Sequence, residues 1–104
     1  MQTSIHVFSK RFGSLRDKVL KDSKLSDFGL TVKEEKRSSR SPGWSKIEME
    51  NGPGVINLEW HRSSQTLICR IVTRGTDPQL IAGAFVSFLL ARLSKQIASI
   101  YIRP

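Results

Sequence analysis

Residues 78–91, PQLIAGAFVSFLLA, form the longest uncharged run in the chain and the most apolar one. At the helical angle of about 100° per residue, Ile81, Phe85, Val86, Phe88, Leu89, Leu90, Leu93 and Ile97 sweep a wide arc. Gly83, Ala84, Ser87, Ala91 and Ser94 fill the remainder. The pattern predicts a buried helix. Pro78 suits its first position, where a missing N–H costs nothing. Asp77 is the expected N-cap, or Thr76 with Gln79 forms a capping box one residue earlier. Arg92 and Lys95 fall near the C-terminal end, where they complement the helix dipole. A transmembrane helix needs ~20 apolar residues. This run is shorter and stops at Arg92, so it reads as a core helix. Its small face, Gly83, Ser87 and Ala91, is either the side turned to water or a surface for close packing on another helix or a symmetry mate.

Two hairpins precede it. Ile47 and Met49 alternate with Lys46, Glu48 and Glu50; after the turn Asn51-Gly52-Pro53-Gly54, Ile56, Leu58 and Trp60 alternate with Val55, Asn57, Glu59 and His61. A four-residue loop at 51–54 pairs Met49 with Ile56, Ile47 with Leu58 and Trp44 with His61. A second turn, Arg62-Ser63-Ser64-Gln65, places Leu67, Cys69 and Ile71 opposite Trp60, Leu58 and Ile56. The eight apolar side chains share one face, as a half-buried sheet requires. On the other face Lys46 falls opposite Glu59, and Glu48 beside Asn57 and Arg70.

Phe28, Leu30 and Val32 alternate as an earlier strand, and Ser99 to Ile102 as a closing one. Near the N-terminus, Phe8, Phe12, Leu15 and Val19 make a narrow apolar stripe opposite Lys10, Arg11, Lys18 and Lys21. The stripe predicts an amphipathic helix over about residues 9–22 with Ser9 as N-cap, weakened by Gly13. Asp17 with Lys21, and Lys18 with Asp22, stand at i,i+4 spacing. Ser4 to Phe8 alternate too, and read either as a strand or as the lead-in to this helix. The expectation is a single α+β domain over residues 1–104, in order α-β-β-β-β-α-β. It has two layers: a mostly antiparallel sheet and both helices on one face.

Composition narrows the function. The chain carries 17 Lys and Arg against 9 Asp and Glu, a net charge of +8. That charge points to an anionic partner, with nucleic acid first. One cysteine, Cys69, excludes an internal disulfide, and two histidines, His6 and His61, are too few for a structural zinc site. No apolar signal region occupies residues 1–20. Lys10, Arg11 and Arg16 precede the first acid, Asp17, a pattern compatible with an organelle presequence. The segment also has a structural use, and the expected location is cytoplasmic.

Catalytic constellations are thin. His61 lies near Glu59, Ser63 and Ser64 along one strand, which is not a triad, and Cys69 points into the core. Gly52-Pro53-Gly54 precedes a strand rather than a helix, so it is not a phosphate loop. No enzyme activity, cofactor or metal is expected. The nucleic-acid reading rests on a basic helix face (Lys10, Arg11, Lys18, Lys21), a basic Ser-rich loop (Lys36, Arg37, Arg40) and the rings of Trp44, His61 and Tyr101 as stacking surfaces. The alternatives are a homo-oligomeric interaction module without nucleic-acid activity, and a small-ligand module with a pocket between Trp60, Phe85, Phe88 and the sheet. A homodimer is expected because the central helix is too apolar for one small domain to cover.

Overall fold

Ser4 to Phe8, the stretch open to two readings, is a strand. The computed structural model describes residues 3–10, 13–36, 44–50, 54–74 and 78–104, with backbone only for 34–36. Strand β1 spans Thr3–Ser9. Ile5 and Val7 are fully buried and Phe8 is exposed, the alternation of a strand with one covered face. The chain then forms helix α1 (Leu15–Lys21), a 3-10 turn (Leu25–Phe28), and strands β2 (Leu30–Lys36), β3 (Trp44–Met49), β4 (Val55–His61) and β5 (Thr66–Val72). Helix α2 (Gln79–Arg92), a second 3-10 turn (Ser94–Gln96) and β6 (Ile97–Arg103) complete it. The six strands make one antiparallel sheet in the order β2-β3-β4-β5-β1-β6. The α+β class is as expected, with β1 added ahead of the expected order and inserted between β5 and β6.

Both helices cover the same face. Leu15 and Val19 of α1, and Ile81, Phe85, Phe88 and Leu89 of α2, join one core with Ile5, Val7, Ile47, Ile56, Leu58, Trp60, Leu67, Cys69 and Ile71 of the sheet. Phe28 meets Phe88 edge-on, ring centres 5.7 Å apart. Trp60, Phe85 and Phe88, the walls expected of a ligand pocket, are therefore core. The opposite face of the sheet has no helix over it among the described residues.

Helix α1 is shorter than the apolar stripe implies. Ser9 ends β1 instead of capping a helix, because residues 3–9 are held by strands on both sides. Gly13 has φ +116°, outside the helical region. The cap is Ser14, whose Oγ accepts from the Asp17 N–H at 3.2 Å. Phe8 points to the far side of the sheet, and Phe12 lies outside the described residues. Asp22 bonds the Arg92 Nε, 3.2 Å from both carboxylate oxygens, rather than Lys18, tying the C-terminal ends of the two helices together.

Helix α2 begins at Gln79 with Pro78 flanking it and no side-chain cap; Thr76 and Asp77 lie outside the described residues. Gly83, Ser87 and Ala91 face water, and so do Leu80 and Leu90, at 64% and 56% exposed. The buried arc is narrower than expected. Ile97 reaches the core from β6, not from the helix. Among the described residues no helix is long and apolar enough to cross a membrane.

The β4–β5 register is the expected one: Ile56 faces Ile71, Leu58 faces Cys69 and Trp60 faces Leu67. The β3–β4 register is shifted by two. Ile47 pairs with Ile56, Glu48 with Val55, and Trp44 with Glu59 rather than His61. The end of β3 belongs to β2 instead. Met49 pairs with Leu30, and the Glu50 N–H donates to the Gly29 carbonyl at 2.7 Å. The connection to β4 is accordingly longer than four residues; its residues 51–53 lie outside those described.

Candidate nucleic-acid interface

Strand alternation builds this surface. Each strand sends one set of side chains into the core and the other onto the open face. With the registers above, the open face carries two neighbouring rows. One runs Trp44, Glu59, Ile68, His6, Tyr101 across β3, β4, β5, β1 and β6. The next, two residues along each strand, runs Lys46, Asn57, Arg70, Ser4, Arg103. The first is a row of rings interrupted at its centre; the second is a row of cations spaced by small polar groups. Spacings of ~4.8 Å between strands and ~3.4 Å along them put the rows roughly 7 Å apart, with Trp44 and Tyr101 roughly 19 Å from each other.

Local contacts hold these groups. The Lys46 ammonium sits over the Trp44 ring, 5.4 Å from its centre. His6 and Tyr101 meet edge to face, ring centres 6.2 Å apart at 89°. The Glu59 carboxylate is taken by Arg70 at 2.9 Å and approached by His61 at 3.3 Å. That leaves little free negative charge in the ring row. Glu48 is likewise met by Lys33 at 3.8 Å. A groove of about 570 Å³ adjoins the cation row, floored by Val55, Asn57 and Val72 and rimmed by Lys33, Lys46 and Arg74. A second hollow, against Trp44, Lys46, Asn57, Glu59 and Arg70, continues it.

The residues singled out from the sequence fall on two surfaces. Trp44 and His61 lie on the open face, and the Lys36 backbone pairs with Trp44 at the sheet edge. Lys18 and Lys21 are exposed on α1, across the sheet from Trp44. Lys10 is exposed just after β1, its N–H bonded to the Gln96 carbonyl at 2.8 Å. Arg11, Arg37 and Arg40, like the Lys36 side chain, lie outside the described residues. The basic helix and the stacking rings therefore do not converge. Lys33, His6, Phe8, Arg74 and Arg103 were missed, and Lys46 and Arg70 were counted only as partners for acids. The alternation of Ser4, His6 and Phe8 against Ile5 and Val7 is the signal that would have found the β1 members.

Nucleophile chemistry has no support at Cys69, which is fully buried with its thiol pushed far above its ordinary pKa by desolvation. Among the described residues no group of three or more His, Cys, Asp or Glu could hold a metal ion. The chain matches no family model, no curated protein and no solved structure.

Proposed function

We propose that the protein binds nucleic acid, preferring single strands, on the open face of its sheet, and that it works as a homodimer. The observation that carries this reading is the row of cations beside the row of rings. An unpaired strand presents bases along one edge and phosphates along the other, and a stacking surface next to a basic track suits both. Trp44, His6 and Tyr101 take bases; Lys46, Arg70, Arg103, Lys33 and Arg74 take phosphates. His61 extends the site on β4; Lys36, Arg37 and Arg40, close to Trp44 in sequence, supply further cations. Lys10, Lys18 and Lys21, exposed away from the rings, and the charge of Arg11 add sequence-independent attraction.

The test is a mobility-shift titration against single- and double-stranded DNA and RNA at several salt concentrations. Affinity should fall steeply with salt, because each phosphate contact releases counterions. Trp44→Ala should cost ~1–3 kcal/mol on single strands and much less on duplex. Replacing Lys46 and Arg74 by Glu should weaken binding more than the same change at Lys18 and Lys21. Equal losses from the two pairs would mean general basicity, not a site. If no nucleic acid is retarded at low salt, the reading fails and the homo-oligomeric interaction module takes its place.

A further inference from the structure

The two edges of the sheet are built differently. The β2 edge is guarded. It carries Lys33, Glu34, Glu35 and Lys36, and its pairing with β3 is broken by an irregularity between Val32 and Glu34. Charges and bulges of this kind stop an edge from pairing with another chain. The β6 edge is guarded less: its pairing with β1 has an irregularity too, between Phe8 and Ser9 and so near its start, but it lacks the run of charges. Its seven residues, Ile97–Arg103, hold no charge before Arg103 and no proline. Beside it α2 has no charge before Arg92. Among the described residues seven large apolar side chains are exposed, and four of them, Leu80, Leu90, Tyr101 and Ile102, lie on α2 or β6. An apolar groove of about 490 Å³ runs between the two, with Ala82, Val86 and Ile102 in its walls.

From this we infer that β6 pairs edge to edge with β6 of a second copy, joining two six-stranded sheets into one of twelve strands. Three observations select a copy of this chain as the occupant. The molecule carries a net charge of +8, so two copies repel in most orientations, and the β6–α2 edge carries its cations, Arg92, Lys95 and Arg103, only towards its ends. The strand is self-complementary. A two-fold axis through an antiparallel pair sets each residue against one on the same face, so partner numbers sum to an even value. Centred on Ile100, the pairing sets Ile100 against itself, Ala98 against Ile102 and Ser99 against Tyr101. It also holds the two Arg103 side chains at opposite ends, roughly 20 Å apart. The same axis keeps both helical layers on one face, so the groove and the Leu90 side of each α2 turn towards the other copy.

Light scattering and sedimentation equilibrium across micromolar concentrations test this. The expected mass is twice 11.7 kDa. Ile102→Lys on the core-side face and Ser99→Lys on the open face each place a charge on the free edge and should weaken the dimer at least tenfold. Val32→Lys, on the guarded edge, should leave the mass unchanged. Circular dichroism checks that each variant is folded. The double variant Ala98→Cys, Ile102→Cys should form an intermolecular disulfide on mild oxidation. Within one chain those positions are roughly 13 Å apart, too far to bridge. A monomeric mass for the natural chain overturns the inference. So does a dimer that survives both β6 lysines in folded protein, or is lost with Val32→Lys instead. If the lysine variants do not fold, the cross-link decides, and its absence in a folded double-cysteine protein counts as refutation.

Discussion

Two residues, Gly54 just before β4 and Ser45 near the start of β3, show how local chemistry sets the cost of a substitution. Gly54 has φ +114°, a region that side chains rarely enter. A Cβ there would lie 3.0 Å from the Thr73 Cγ2 and 3.3 Å from the Ile81 Cγ2. The neighbours are the start of α2 and the end of β5, so relief would have to move the core. Gly54→Ala should therefore lower stability by ~1–3 kcal/mol, the usual cost of such a strained backbone. It should appear in denaturant unfolding as a lower midpoint with an unchanged slope. Ser45 is the opposite case. It is fully buried opposite Leu58, and its hydroxyl has no hydrogen-bond partner among the described residues. An unpaired buried hydroxyl has lost water and gained nothing, so Ser45→Ala should be neutral or stabilising by up to ~1 kcal/mol. A loss above ~1 kcal/mol in the same unfolding measurement would mean that the hydroxyl does have a partner.

At the scale of elements, hydrophobic alternation specified faces well and registers less well. Leu58, Cys69 and Ile71 are buried together as their spacing implied, because period two admits only one buried set. The same rule is blind to a slip of two residues, which leaves every side chain on its face. That is why Trp44 and His61 were correctly placed on the open side and wrongly placed opposite each other. The deciding contacts, Met49 with Leu30 and Glu50 with Gly29, are made to β2, which pattern matching within the hairpin does not consult. Helix α1 was misjudged for a related reason. Phe8 fits both a helical stripe and the outer face of a strand. Pairing with β5 and β6 decided for the strand, leaving Gly13 and Ser14 to start the helix. Of the candidate site, rings and charges could be named from the sequence, but their rows exist only once β1 is known to lie between β5 and β6.

The largest consequence appears when the two proposals are combined at the scale of the whole molecule. In the β6–β6 pairing, Tyr101 of one copy stands opposite Ser99 of the other. The ring row of the first copy then runs on into the next row of the second, which is Ser99, Phe8, Thr66 and His61 by the observed registers. Each dimer so carries two antiparallel rows, from Trp44 through His6 and Tyr101 of one copy to Phe8 and His61 of the other. Such a row spans eight strand spacings, roughly 38 Å, against the roughly 19 Å from Trp44 to Tyr101 in one copy. Affinity for single strands should therefore keep rising with oligonucleotide length beyond what one copy can cover. In Ile102→Lys, which is expected to be monomeric, it should level off at about half that length. Ile102 lies on the core side of the sheet, so the substitution does not alter the ring or cation rows. Quenching of tryptophan fluorescence by oligonucleotides of increasing length reads the plateau directly, with light scattering on the same samples fixing the mass. A plateau at the same length in both proteins would show that binding, if it occurs, is confined to single copies. A shorter plateau in the variant alone would tie the open face and the β6 edge into one functional surface.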